Sequence, residues 1–133
     1  MAVGSLAGCR VLVVEDETLI VLMIEDTLQE LGCIVVGPVG KLDAAVRLAS
    51  GEVLDVAILD VNIRGGHVYP VAEQLRARGI PFVLASGYED WALCEAFRNE
   101  PRLNKPFTAN ELEKQVKAAL QQAPRSGPLV SAA

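Results

Sequence analysis

The sequence is poor in the residues that build metal and redox sites. It has one histidine, His67, and three widely spaced cysteines, Cys9, Cys33 and Cys94, with no Cys-x-x-Cys pair. Zinc-site spacing and an even disulfide framework are therefore excluded, and reduced, mostly buried thiols are expected. No run of Lys and Arg occurs and the formal net charge is −5, so neither nucleic acid nor an anionic membrane is an expected partner. The longest unbroken apolar run, residues 19–24, is far too short to cross a bilayer. Residues 1–8 carry no basic residue and do not read as a signal peptide, so a cytoplasmic location is expected. Neither G-x-x-x-x-G-K nor G-x-G-x-x-G is present, which removes the common glycine-rich phosphate cradles.

What remains is an ordinary globular balance: 133 residues, 51% apolar and 22% charged. That is one domain, long enough to bury a core without disulfide or metal staples. Two periodicities alternate along it. Residues 10–14 are a short β-branched run that reads as a strand buried on both faces; 33–39, ended by Gly37 and Pro38, 54–59, followed by a loop at Gly65-Gly66, 81–85 and 103–104 read as the other strands. Helical stretches follow at about 17–31, 42–49, from Pro70 to Gly79, 89–97 and from Thr108 onward, with Gly32 and Gly79 as stops. Pro70 suits a first helical turn, and Thr108 with Glu111 forms a capping box.

Strand and helix alternate five times. The spacing predicts an α/β fold, a single doubly wound parallel five-stranded sheet with helices on both faces. Residues 1–8 read as an N-terminal extension, 9–122 as the domain and 123–133 as a flexible tail.

In such a sheet, ligands bind beyond the carboxyl ends of the strands. Glu15 and Asp16 follow the first strand, Asp60 the third, Ser86 the fourth and Lys105 the fifth. Each alone has a bland reading. An acidic pair favours a helix N-terminus, a lone Asp caps a turn, Ser86 fits a turn and Lys105 fits a surface. Together they place three carboxylates, a hydroxyl and an ammonium on one edge. Carboxylate and carbonyl oxygens suit a hard octahedral cation such as Mg²⁺ or Mn²⁺. An Asp carboxylate beside it can take a phosphoryl group as an aspartyl-phosphate. Lysine and serine would neutralise and hydrogen-bond the phosphoryl oxygens.

The blocks Val-Val-Glu15-Asp16, Ile-Leu-Asp60-Val-Asn62, Ala-Ser86-Gly and Asn-Lys105-Pro106-Phe resemble the signatures of response-regulator receiver domains over residues 9–122. The resemblance implies strand order 2-1-3-4-5, flavodoxin-like. It makes Asp60 the phosphoacceptor. Asp16, Asp60 and the Asn62 backbone carbonyl would bind the metal, with Glu15 acting through water. Ser86 and Lys105 would contact the phosphoryl group, and Asn62 and Tyr88 would tune its hydrolysis. A cis Lys105–Pro106 peptide is also implied. The expected donor is a sensor histidine kinase or histidine phosphotransferase. The chain would be a single-domain response regulator, a monomer or weak dimer, signalling by altered protein contacts or by phosphorelay. It would catalyse only its own phosphorylation and dephosphorylation.

The sequence departs from the family in one place. Arg102 stands three residues before the lysine, where many receivers carry a switching Tyr or Phe. Leu84-Ala-Ser-Gly-Tyr88 instead resembles the Phe-Ala-Thr-Gly-Tyr motif of a stand-alone receiver subgroup, and Tyr88 is a candidate for part of the switch; alternatively it packs on the helix at 89–97.

The first helix is apolar beyond its core face. Ile20, Ile24, Leu28 and Leu31 share one side, while Leu19, Leu22 and Met23 fall off it and form a candidate docking patch. His67 reads as a loop residue without a role, and Trp91 and Phe97 read as packing residues. A haloacid-dehalogenase-type phosphatase would need a second acid two residues beyond its nucleophile, where Asn62 stands. The alternative that remains is a degenerate receiver that binds a protein partner without phosphorylation.

Overall fold

The structure, a computed structural model, describes residues 6–87 and 100–132, with side chains as far as Gln121. In chain order the elements are β1 (Arg10–Val14), α1 (Thr18–Glu30), β2 (Ile34–Val39), α2 (Leu42–Gly51), β3 (Val56–Asp60), β4 (Asn62–Ile63), β5 (Gly66–His67), α3 (Tyr69–Ala77), β6 (Phe82–Ser86), β7 (Arg102–Asn104) and α4 (Ala109–Ala132).

Five strands pair in parallel in the order β2-β1-β3-β6-β7. This is the expected order 2-1-3-4-5, with β6 and β7 as the fourth and fifth strands of the sheet. The period-2 alternation of each strand divides the core into two layers. Leu12, Val14, Ala57 and Leu59 face α2 and α3, meeting Ala45, Ala49, Val71, Ala72 and Leu75. Val11, Val13, Val56 and Ile58 face α1 and α4, meeting Ile24, Leu28, Leu112, Val116 and Ala119. Strands covered on both faces have no solvated side, which is why they read as unbroken apolar runs. Truncating the fully buried Leu59 to Ala is expected to cost about 2–5 kcal/mol.

The helix boundaries have local causes. Gly32 (φ +87°) and Gly79 (φ +72°) sit where α1 and α3 end, in a left-handed conformation that glycine adopts without a Cβ clash. Pro70 lies in the first turn of α3. The capping box before α4 is complete: Glu111 N–H donates to Thr108 Oγ1 at 3.1 Å, and Thr108 N–H donates to Glu111 Oε1 at 2.9 Å. The Lys105–Pro106 peptide is cis, as expected.

Three readings change. Gly37-Pro38 does not end β2, which runs through it to Val39. The register against β1 slips there, with Leu12 opposite Val36 and Val14 opposite Val39. The pair forms a bulge on an edge strand, where a proline costs no ladder hydrogen bond. The Gly65-Gly66 loop is in fact the turn region of an antiparallel hairpin, β4 with β5, whose two-residue strands are too short to show a period. Residues 123–132, expected as part of a flexible tail, continue the last helix in backbone to Ala132. Pro124 and Pro128 fall within that continuation, each lacking the N–H of a helical hydrogen bond. The side chains of that extension, expected as the tail at 123–133, lie outside the described residues. So do the extension's residues 1–5, the helix expected at 89–97 with Trp91 and Phe97, Cys94 and Tyr88.

Candidate functional site

The carboxyl edge of the sheet gathers the polar residues. Four strands end there, and each delivers a functional side chain at or just past its last residue. β1 leads into Glu15 and Asp16, β3 ends on Asp60, β6 ends on Ser86 and β7 leads into Lys105. β1 and β3 are neighbours at the point where the strand order reverses, the place where open α/β sheets bind ligands.

Glu15 is only 3% exposed and Asp60 only 5%. Lys105 lies between them. Its Nζ is 3.2 Å from Asp60 Oδ1 and 3.2 Å from Glu15 Oε1, and it donates to Glu15 Oε2 at 3.3 Å. Glu15 Oε2 also accepts the Glu17 N–H at 3.2 Å. Glu15 Oε1 is buried with no hydrogen-bond partner, because the nearby ammonium is off its hydrogen-bonding line. Asn62 N–H donates to Asp60 Oδ1 at a long 3.4 Å. Ser86 is buried beside this group, and its carbonyl accepts the Lys105 N–H at 2.9 Å, which ties β6 to the start of the lysine loop.

The electrostatics follow from this packing. Burial pushes the Asp60 carboxyl up to about 7; the Glu15 carboxylate pushes the same way, and Lys105 opposes both. Burial pulls the Lys105 ammonium down, but Asp60 and Glu15 outweigh it and its affinity for the proton is raised. Glu15 and Asp60 share one ammonium and Asp16 adds a third carboxyl within 4.8 Å, so acids outnumber the cation that pairs with them.

Glu15, Asp16 and Asp60 each offer an oxygen, and all three oxygens lie within 4.8 Å of one another. An all-oxygen donor set in which acids outnumber the paired cation fits Mg²⁺. The orphaned Glu15 Oε1 fits too, since a metal-bound water could donate to it. Gly40 makes room for this arrangement: a Cβ there would stand 2.8 Å from Asp16 Cβ and 3.1 Å from Asp16 Cα.

Glu15, Asp16, Asp60, Lys105 and Ser86 thus meet at one edge, with the Asn62 backbone beside them. Leu19 and Leu22 are 77% and 54% exposed on α1. Met23, the third residue of the expected patch, is less exposed. It is partly buried against the core layer, because at helical spacing it lies one residue from Ile24 and four from the buried Thr27, which donates to its carbonyl at 2.9 Å. Two residues had no sequence signal pointing to the site. Gly40 showed no motif, and His67 is a lone histidine; its Nδ1–H donates to Asn62 Oδ1 at 2.7 Å.

The class of protein is a doubly wound α/β domain with an acidic cluster, two of its three carboxyls buried, and a lysine at its switch point. The family model of the response regulator receiver domain matches residues 11–117, and the chain belongs to that family, the receiver domains of two-component signalling. Transcriptional regulatory protein PdtaR of Mycobacterium tuberculosis is 30% identical over 117 residues, covering 85% of this chain and 57% of that protein. The chain therefore spans little more than half the length of this curated relative. The solution structure of SdrG from Sphingomonas melonis Fr1 is 46% identical, covers 85% of this chain and 97% of that chain, and superposes with a TM-score of 0.74. The receiver domain of the sensor histidine kinase PA1611 from Pseudomonas aeruginosa PAO1, solved with a magnesium ion coordinated in its active site cleft, is 25% identical, covers 86% of this chain and 99% of that chain, and has a TM-score of 0.71. Among the described residues, no helix is long and apolar enough to cross a membrane.

Proposed function

We propose that Asp60 accepts a phosphoryl group from a phosphohistidine of a sensor histidine kinase or histidine phosphotransferase. A carboxylate oxygen of Asp60 attacks phosphorus, the P–N bond breaks, and the electron pair returns to the donor imidazole. The ion pair at 3.2 Å between Lys105 Nζ and Asp60 Oδ1 is the observation that carries this reading. It stations a cation where phosphoryl charge would develop, and transfer of this kind depends on positioning and charge neutralisation. Ser86 would donate to a second phosphoryl oxygen.

Asp16, Asp60, the Asn62 carbonyl and, through water, Glu15 would hold Mg²⁺ or Mn²⁺. When bound, the ion supplies positive charge that keeps Asp60 ionised and polarises the phosphoryl oxygens. Chemistry is confined to the chain's own phosphorylation and dephosphorylation. The added charge of about −1.5 to −2 would be read by a protein partner or passed on in a relay. The exposed Leu19 and Leu22 of α1 are the proposed contact for the histidine donor.

Incubation with acetyl phosphate and Mg²⁺ tests the proposal. A one-phosphoryl mass gain is expected for the native protein, and none for Asp60→Asn or in the presence of a chelator. No gain from acetyl phosphate or from any phosphorylated histidine donor would favour a degenerate receiver that binds its partner without phosphorylation.

A further inference from the structure

The hairpin β4–β5 follows directly after Asp60 and carries the residue that faces the site from outside the acidic cluster. Asn62 and His67 are cross-strand partners in it. His67 Nδ1–H donates to Asn62 Oδ1 at 2.7 Å, and the His67 ring also contacts Tyr69, with centroids 5.8 Å apart. These two contacts hold the imidazole in place and engage the carboxamide oxygen. The backbone of Asn62 meanwhile turns to the site, its N–H 3.4 Å from Asp60 Oδ1. One residue thus has its main chain on the nucleophile and its side chain tied to the hairpin. A carboxamide has an acceptor oxygen and two donor hydrogens. Released toward a phosphorylated Asp60, it could orient a water at phosphorus. The bond to His67 occupies one of that oxygen's two acceptor positions and fixes the carboxamide on the hairpin.

We propose that His67 is a positioning residue that keeps the Asn62 carboxamide oxygen on the hairpin, away from the phosphoryl group, and so prolongs the phosphorylated state. This rests on Asp60 being the phosphoacceptor. The step it slows is hydrolysis. The oxygen of water forms a bond to phosphorus, the bond between phosphorus and the Asp60 oxygen breaks, the carboxylate is regenerated, and the water's protons leave on inorganic phosphate and to solvent.

The test follows phosphoryl decay by intact mass, after loading the full chain with acetyl phosphate and Mg²⁺ and removing the donor. His67→Ala is expected to lose its phosphoryl group about 3- to 10-fold faster than the native protein, the range that one exposed hydrogen bond can hold. His67→Gln, which keeps a donor, is expected to restore most of the lifetime. Asn62→Ala and the double variant His67→Ala/Asn62→Ala are expected to decay alike, because without the carboxamide His67 has nothing to hold. Mg²⁺ affinity and thermal midpoint of His67→Ala are expected to match the native values. A native decay rate in His67→Ala would overturn the inference. So would a double variant faster than Asn62→Ala, or weakened Mg²⁺ binding in His67→Ala, since either would mean that His67 acts on the loop backbone. A native protein that takes no phosphoryl group would overturn the phosphoacceptor reading itself, and this inference with it; the loaded native protein separates the two failures.

Discussion

Lys105 Nζ and Asp60 Oδ1 stand 3.2 Å apart across two strand ends, and the same ammonium reaches both oxygens of Glu15. One cation therefore offsets two buried carboxylates. Removing it leaves them facing each other in a desolvated site. Lys105→Ala is expected to destabilise the metal-free protein by on the order of 3 kcal/mol at pH 8. The loss should shrink at pH 5, where Asp60 takes up a proton. Phosphorylation by acetyl phosphate should fall at least about tenfold, the scale of one lost charge-stabilising contact. Urea unfolding at both pH values and mass-detected phosphorylation check these outcomes.

The raised Asp60 carboxyl makes a second prediction, with a definite sign. The group titrates near 3.8 when unfolded and at about 7 in the fold. Between those values the folded protein binds a proton that the unfolded chain has released. The resulting stability is complete below pH 4 and is lost as pH rises through 7. In chelator, the urea midpoint is expected to fall between pH 5 and pH 8, by a few kcal/mol of stability. Asp60→Asn should remove that decline, and Mg²⁺ should restore stability at pH 8. An equal decline in Asp60→Asn would contradict the assignment.

Gly40→Ala tests how Asp16 is seated. The new methyl would stand 2.8 Å from Asp16 Cβ and 3.3 Å from Arg64 Nη2. The Asp16 loop must shift, at a cost of about 1–3 kcal/mol. Mg²⁺ affinity measured by titration is expected to weaken more than stability does. Native affinity would show that Asp16 is not a ligand.

Leu22→Glu separates docking from chemistry. Leu22 is 54% exposed on α1 and is not among the acids or the lysine of the site. Transfer from a phosphorylated histidine donor is expected to slow, while labelling by acetyl phosphate stays at the native rate. Equal transfer kinetics from the protein donor would argue that α1 is not its contact.

The sheet and the acidic site were legible in the sequence for the same reason. Strands buried on both faces are unbroken apolar runs, and each run ends on the residue that the sheet edge needs, as Val-Ala-Ile-Leu-Asp60 shows. What was not legible depended on contacts between distant segments. The bulge at Gly37-Pro38 is visible only through its register against Leu12 and Val14. The seat that Gly40 provides for Asp16, and the bond from His67 to Asn62, join residues that no periodicity links. Met23 is partly buried against the core layer, a contact that the helix surface pattern does not show.

The most direct test of the account is to locate the phosphoryl group. Acetyl-phosphate-labelled protein is treated with borohydride, which reduces an acyl phosphate to an alcohol, and its peptides are sequenced by mass spectrometry. Conversion of Asp60 alone to homoserine, dependent on Mg²⁺, is the expected result. Conversion at Asp16 or Glu15, or labelling that persists in Asp60→Asn, would contradict it.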